Sequence, residues 1–276
     1  MAFDISMLVS GLDRREDGIW FAKQSAPVSW PEHGHSARLQ VEDRSFWFRH
    51  RNRCISSVVR RFAPDDVLID IGGGNGYVSK GLMEAGISCA LVEPGIEGAV
   101  AARARGVDPV ICARLEDVGI AEGSVGSAGM FDVLEHIEDE AGALRRIHTL
   151  LRPGGHLFLT VPAYNFLNSA DDVALGHFRR YTLRSLKRAA ANQGFRAQFT
   201  TYLFTPLPPS IFLLRTVPSW LRLRRAEDME EQTADHVREG FAARVVNRLV
   251  DREARRIEAG GTIPFGSSCL AVFVKD

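Results

Sequence analysis

The 276-residue sequence has no excess of charge of one sign, because 34 lysines and arginines balance 34 aspartates and glutamates. No global field therefore draws the chain toward nucleic acid or an anionic membrane. It also contains no apolar run long enough for a transmembrane helix or a signal peptide. We expect a cytoplasmic protein that acts on a small or neutral molecule, without a nucleic-acid partner and without stable membrane insertion.

Clustered metal ligands are also missing from the sequence. The four cysteines are scattered without Cys-x-x-Cys spacing, which is typical of reduced, buried thiols. The eight histidines are dispersed, and none is paired with another at the spacing that metal sites use. The sequence therefore predicts no bound metal.

The middle of the chain alternates β-branched apolar runs with amphipathic segments. This alternation predicts an α/β fold with a doubly wound, mainly parallel sheet and right-handed crossovers. We place strands near 67–71, 88–93, 108–112, 127–133 and 155–161, and helices between them near 76–85, 96–105 and 138–151.

The most informative segment is the turn after the first of these strands, where residues 67–77 read Val-Leu-Ile-Asp-Ile-Gly-Gly-Gly-Asn-Gly-Tyr. Glycines between a buried strand and a helix let the backbone approach a ligand closely. Glu93 follows about 20 residues later, the usual place of an acid that accepts hydrogen bonds from ribose hydroxyls. The pattern indicates a nucleoside ligand.

The glycine spacing separates two classes of nucleoside-binding enzyme. A nicotinamide oxidoreductase needs a small third residue three positions beyond Gly74, where this chain has the bulky Tyr77. Glycines at 72, 74 and 76 after Asp70 instead resemble the first motif of class I S-adenosylmethionine-dependent methyltransferases.

The resemblance continues along residues 45–203 and the last strand. Leu91-Val92-Glu93-Pro94-Gly95 is similar to the second motif of that family, Phe131-Asp132-Val133-Leu134-Glu135-His136-Ile137 to its fourth-strand motif, and Leu151-Arg152-Pro153-Gly154-Gly155 to the turn before its fifth strand. The resemblance implies a seven-stranded Rossmann-like sheet whose last strand is antiparallel. It also implies S-adenosylmethionine as methyl donor and S-adenosylhomocysteine as product.

The resemblance further implies a set of cofactor-binding residues: Asp70, Gly72, Gly73, Gly74, Gly76, Glu93, Pro94, Arg114, Leu115, Asp132 and Val133, with Trp47 and Arg51 from a helix that covers the methionine half of the cofactor. Several have structural alternatives. Asp70 can serve to organise the loop, Glu93 and Asp132 can cap helices, and Arg51 can be a solvated helix residue.

Just after the fifth strand, Asp171-Asp172 precede the stretch Gly176-His177-Phe178-Arg179-Arg180-Tyr181, which is similar to a loop in a bacterial small-molecule and lipid-precursor branch of the family. We expect an ion-paired loop that lines the acceptor pocket. His177 is the candidate base, because imidazole titrates near neutrality, and a structural histidine is the alternative. Arg180 and Tyr181 complete the candidate catalytic set, whereas His136 is expected to be structural.

Four segments follow from these patterns: an irregular arm or lid at 1–44, the cofactor-binding core at 45–203, a helical insertion or lid at 204–262, and the final core strand at 263–276. In the insertion, the apolar stripe Val237, Phe241, Val245, Leu249 and Ile257 is expected to pack on the core. Its Leu-, Phe- and Pro-rich start fits a lid, a homodimer surface or a site for an isoprenoid or lipid-linked acceptor.

We therefore expect a methyltransferase that acts on a small-molecule acceptor, with O-methylation favoured over N- or C-methylation. The alternatives are a lipid-linked or isoprenoid acceptor, a nicotinamide oxidoreductase, and a non-catalytic subunit that binds S-adenosylmethionine.

Overall fold

A computed structural model describes residues 9–22, 42, 45–63, 65–221 and 241–276, without the side chains of 241–243. The rest of the predicted arm and insertion lies outside the described residues.

The described residues form one mixed sheet. Its strands are β1 (Leu12–Arg14), β2 (Trp20–Ala22), β3 (Leu68–Ile71), β4 (Cys89–Val92), β5 (Val110–Cys112), β6 (Val125–Phe131), β7 (Leu151–Pro162), β8 (Phe195–Leu203) and β9 (Ser268–Lys275). They lie in the order β1-β2-β5-β4-β3-β6-β7-β9-β8. All neighbours from β2 to β7 pair in parallel, and β9 runs antiparallel between β7 and β8. The predicted doubly wound sheet with an antiparallel last strand is confirmed.

The predicted number of strands was wrong, because the sheet has nine strands instead of seven. Strands β1 and β2 come from the segment that was expected to be irregular, and β2 pairs in parallel with β5. Ile19 explains why they dock: its side chain is 1% exposed within an apolar cluster formed by Leu91, Ala99, Ala102, Val107, Val110 and Cys112. Each strand is only three residues long, too short to show a period.

Helices lie against the sheet. They are α1 (Phe46–Phe62), α2 (Tyr77–Glu84), α3 (Ile96–Ala104), α4 (Glu140–Leu150), α5 (Ala170–Ala174), α6 (Leu183–Ala191), α7 (Leu207–Ile211), α8 (Val217–Trp220) and α9 (Phe241–Glu258). Ser45 caps α1 by accepting a hydrogen bond from the Trp47 N–H, and Thr182 and Ser185 form a capping box on α6. Among the described helices, none has both the length and the apolar character that a membrane crossing requires.

Helix α9 packs on α1 with a different face from the predicted one. Val245 and Leu249 are 40% and 45% exposed, whereas Val250, Ala254 and Ile257 are buried. A step of four residues turns an α-helix through slightly more than one full turn. Side chains that are spaced by four therefore rotate gradually away from the core along the helix. Only Ile257 of the described part of the predicted stripe remains buried.

We expect the Ile19 strand pair to be part of the cooperative fold. Ile19→Ala should lower the free energy of unfolding by about 2–5 kcal/mol, the usual cost of truncating a buried isoleucine. Val100→Ala is the control, because Val100 lies on α3 with 48% exposure and should change stability by less than about 0.5 kcal/mol. Urea denaturation measures both, and equal stabilities would contradict an integral role for β1 and β2.

Candidate active site

The turn between β3 and α2 has a backbone that requires glycine. Gly72, Gly74 and Gly76 have φ angles of 69°, 55° and 73°, in the left-handed region that other residues enter only with strain. Gly73 is limited by space, because a Cβ there would lie 2.7 Å from Leu91 Cδ1. The turn is thus free of side chains along its four glycines, as a seat for a closely bound ligand must be.

Glu93 links the turns that follow β3 and β4. Its Oε2 accepts a hydrogen bond from the Gly74 N–H (2.8 Å), and its Oε1 accepts one from the N–H of Gly95, the N-cap residue of α3 (2.7 Å). Burial raises the pKa of Glu93 to about 7, although both N–H bonds oppose this rise. A carboxylate offers about four acceptor positions, so capacity remains for ribose hydroxyls.

Asp70 lies at the end of β3 and is 1% exposed. Its Oδ2 accepts a hydrogen bond of 2.6 Å from the Ser79 hydroxyl of α2. Burial raises the pKa of Asp70 to about 6, and the bond from Ser79 opposes the rise. Asp70 therefore joins strand, turn and helix, which corresponds to the loop-organising role.

Arg51 extends from α1 to the residue that follows β6. Its Nη1 donates to Asp132 Oδ2, and its guanidinium lies 4.5 Å from the centre of the Trp47 ring. Asp132 has a positive φ of 58°, and its Oδ1 accepts a hydrogen bond from the Thr160 hydroxyl at 3.0 Å. Since a guanidinium carries five N–H donors, Arg51 can keep Asp132 and still bind a second carboxylate.

Val133 lies between the ends of β3 and β6. A Cβ built at Gly72 would lie 2.9 Å from Val133 Cγ2. Val133 is therefore in direct contact with the glycine turn, as a residue at the cofactor edge must be.

The predicted adenine side is formed by the segment after β5. Leu115 is half-buried against the core, whereas Arg114 is exposed and lies 3.7 Å from Glu116. The Pro94 carbonyl accepts a weak bond from the Cys112 thiol (3.9 Å). Asp117 has a buried Oδ2 without a hydrogen-bond partner among the described residues, and it is the acid in this segment best suited to an amine donor.

The loop after β7 holds His177 against a carboxylate. His177 Nδ1 lies 2.8 Å from Asp172 Oδ1, and the backbone N–H of His177 donates to the Asp172 carbonyl at 2.9 Å. Arg180 makes two bonds to the same carboxylate, of 2.7 and 3.0 Å. Burial alone raises the pKa of Asp172, but His177 and Arg180 outweigh it and hold that pKa far below its usual range. Asp172 is therefore ionised at neutral pH.

Arg180 and Tyr181 support this loop. Arg180 also donates to the Ala163 carbonyl (3.2 Å). Tyr181 is 4% exposed, and its hydroxyl donates to Glu140 at 2.6 Å. Burial and the bond to Glu140 raise the pKa of Tyr181, so the phenol stays protonated. The contacts of both residues favour positioning the loop over contacting a substrate.

Three potential metal ligands lie together among the described residues. One ligand atom from each of Glu135, His136 and His177 lies within 4.8 Å of the others. The rings of His136 and His177 meet edge to face at 4.7 Å. Two imidazoles and a carboxylate are ligands that divalent transition metals accept. Sequence spacing did not reveal this group, because His177 is distant in the chain from the other two residues.

Known proteins resemble this chain in sequence. A family model described as "Methyltransferase domain" matches residues 47–198. A Mycolicibacterium smegmatis protein named as an S-adenosylmethionine-dependent methyltransferase is 25% identical over 183 residues, which cover 64% of this chain and 70% of that protein. A Colwellia psychrerythraea ubiquinone biosynthesis O-methyltransferase is 28% identical over 102 residues, which cover 35% of this chain and only 42% of the relative.

A solved structure has a similar fold. A solved S-adenosylmethionine-dependent methyltransferase from Thermotoga maritima superimposes with a TM-score of 0.54 at 18% identity, covering 87% of this chain and 94% of that one. Fold and glycine turn together define a class I methyltransferase that uses S-adenosylmethionine. By its match over more than half its length, the chain belongs to the methyltransferase-domain family.

We expect Glu93 to give cofactor binding a pH dependence near neutrality. In this expectation the ribose hydroxyls bind to the ionised carboxylate, and the pKa of Glu93 in the free protein is about 7. Affinity for S-adenosylhomocysteine should therefore fall as the pH is lowered from about 8 to about 6. Glu93→Gln should weaken binding by about 10- to 100-fold and remove most of this pH dependence.

Calorimetric titration at several pH values measures both effects. The exposed Glu97, in the first turn of α3, supplies the control Glu97→Gln, which should leave affinity and its pH dependence unchanged. Wild-type affinity in Glu93→Gln would assign the ribose contact to another residue.

Proposed function

We propose that this methyltransferase transfers the methyl group of S-adenosylmethionine to a hydroxyl oxygen of a small-molecule acceptor. The observation that carries the proposal is the His177–Asp172 pair on the loop after β7. Nδ1 lies 2.8 Å from the ionised Asp172, and in the neutral tautomer that we propose, Nδ1–H donates to Asp172 and the lone pair is on Nε2. A hydroxyl acceptor needs a base to take its proton, and this lone pair can do so. A neutral amine or a carbon nucleophile has less need of a base.

The residues beside this loop fit the cofactor. In our proposal the glycine turn carries the methionine-to-ribose part, Glu93 accepts from the ribose hydroxyls and Asp117 accepts from the adenine amine. Arg51 binds the methionine carboxylate, and Trp47 presents an aromatic face to the cationic sulfonium.

The reaction is a direct displacement in which a lone pair of the acceptor oxygen attacks the methyl carbon. The carbon–sulfur bond breaks, the sulfur keeps the electron pair, and S-adenosylhomocysteine leaves as a neutral thioether. The hydroxyl proton moves to His177 Nε2, and Asp172 stabilises the resulting imidazolium. Since the sulfonium is already a good leaving group, the protein contributes mainly by holding the two reactants in line.

Arg180 and Tyr181 serve in this proposal as positioning residues. Arg180 holds Asp172 in place, and Tyr181 anchors the end of the loop to Glu140 of α4. Cytoplasmic location and homodimer formation remain predictions.

A second acceptor class has its own support in a row of aromatic side chains. Successive ring centres lie 5.7 Å apart from Trp220 to Phe212, 6.1 Å from Phe212 to Phe166 and 5.2 Å from Phe166 to Tyr164. The row begins at Trp220, next in the chain to the exposed Leu221. Its last member, Tyr164, donates its backbone N–H to the carbonyl of Tyr181, at the end of the loop that carries His177. This row offers a surface on which an apolar tail can bind, and it therefore favours a lipid-linked or isoprenoid acceptor over a soluble metabolite.

We expect His177→Ala to lower kcat by about 10²–10⁴ while the affinity for S-adenosylhomocysteine stays nearly unchanged, as the loss of a positioned base requires. Full activity of His177→Ala on the true acceptor would contradict the role of base.

A chelator separates the base from a metal ligand. If His177 is a base, the enzyme should keep its activity after dialysis against a strong chelator. If His177 is a metal ligand in the Glu135–His136–His177 cluster, the enzyme should lose activity, and a divalent cation should restore it. The second result would also overturn the prediction that the chain binds no metal.

The acceptor class can be tested with alkylphenols as probes. If the aromatic row binds a tail, octylphenol should bind the S-adenosylhomocysteine complex more tightly than ethylphenol, by about 0.8 kcal/mol for each methylene that becomes fully buried. Trp220→Ala should reduce this gain, and Val100→Ala, a truncation on α3, should not. Equal binding of both phenols to the wild-type protein favours a soluble acceptor instead.

A further inference from the structure

Glu253 of α9 is a buried carboxylate with partners on two other segments. Its side chain is 3% exposed. Oε1 lies 2.8 Å from His50 Nε2 of α1 and accepts from the Phe204 N–H at 2.7 Å. Oε2 accepts from the Thr205 N–H (3.0 Å) and from its hydroxyl (2.8 Å). A single carboxylate thus joins the insertion helix, the end of β8 and the helix that carries Arg51.

The most constrained of these partners is Phe204. It has a positive φ of 63° and a fully buried side chain. A bulky residue is strained in this conformation, so a strong bond to its N–H is needed to hold it there. The Phe204 ring stacks on Trp47 with a centre distance of 5.3 Å and an interplanar angle of 4°.

The contacts continue from Trp47 to the cofactor edge. The Arg51 guanidinium lies 4.5 Å from the Trp47 ring centre and donates to Asp132, at the end of β6. Arg51 is thus held between an aromatic ring and a carboxylate. The Trp47 ring is in contact with Phe204, and the N–H of Phe204 is bonded to Glu253.

We propose that Glu253 is a positioning residue for cofactor binding, which orients Arg51 through Phe204 and Trp47. The proposal rests on the cofactor role of Arg51 proposed above. Glu253 lies outside residues 47–198, the range that the family model matches, so the insertion of this chain supplies the support for a contact made by the core.

The same two helices provide a matched control. Glu258 of α9 accepts two bonds from Arg53 of α1, of 2.6 and 2.9 Å. This pair also joins α9 to α1, but its side chains are 41% and 36% exposed and its two hydrogen bonds run from one helix to the other. A merely structural link between the helices should respond to its loss in the same way as to the loss of Glu253.

The test is a double-mutant cycle on S-adenosylhomocysteine affinity, measured by calorimetry on the full chain. R51A and E253A should each weaken binding by about tenfold, the low end for losing a hydrogen bond to a charged group. The double variant R51A/E253A should bind within about twofold of R51A, because Glu253 acts only through Arg51. E258A should bind like the wild type.

Other outcomes have distinct meanings. If the effects of R51A and E253A multiply in the double variant, or if E258A weakens binding as much as E253A, the positioning role is overturned and the role of Arg51 stands. If R51A binds normally, both are overturned, while methyl transfer by the wild-type protein still supports the proposed function.

If E253A does not fold, F204L makes the same test, because it removes the ring stacked on Trp47 and keeps an apolar side chain. F204L should weaken binding by several-fold in the wild-type background and not in R51A. An unchanged affinity in F204L overturns the proposal.

Discussion

The parallel alignment of β3 with both of its neighbours determines where the functional groups of the sheet lie. Asp70 pairs in register with Leu91 of β4 and with Gly129 of β6. Since the three strands run in the same direction, the chain leaves all of them at one edge, and Asp70, Glu93 and Asp132 gather there. Three carboxylates at one edge repel each other, and each is stabilised differently: by the Ser79 hydroxyl, by two backbone N–H groups, or by Arg51 and Thr160.

The buried acids differ in pKa because their partners differ in charge. Asp70 and Glu93 accept bonds from neutral donors, and burial raises their pKa values to about 6 and about 7. Asp172 is also buried, yet two bonds from Arg180 and one from His177 lower its pKa. Glu93 is thus a carboxylate whose ionisation a donor-rich ligand can complete, whereas Asp172 is ionised in advance.

The parts of the fold and site that sequence could predict are local in the chain. The glycine turn, Glu93 and the alternation of core strands and helices along the chain follow from short patterns, and the strand ends were placed within a few residues. The docking of β1 and β2 depends on Ile19 meeting side chains of β4, α3 and β5, which no local pattern shows. The contact of Glu253 with His50 spans 203 residues.

Contacts between segments that are distant in the chain also explain the wrong stripe in the insertion and the histidine contact that the sequence did not show. The buried face of α9 is decided by the surface of α1, so periodicity alone selected the wrong stripe. No histidine pair in the sequence has the spacing of a metal site, and the approach of Glu135 and His136 to His177 results from the return of the loop to the end of β6.

The loop after β7 is held both by backbone hydrogen bonds and by the side chains of Arg180 and Tyr181. The Phe178 N–H donates to the Glu135 carbonyl and the Tyr181 N–H to the Pro162 carbonyl, both at 2.9 Å. These bonds fix the course of the loop whatever side chains stand at 177 and 178. On the cofactor side, the side chains of Glu93 and Arg51 link separate elements. We therefore expect substitutions at 177 or 178 to affect the acceptor with little effect on cofactor binding, and substitutions at Glu93 or Arg51 to weaken cofactor binding.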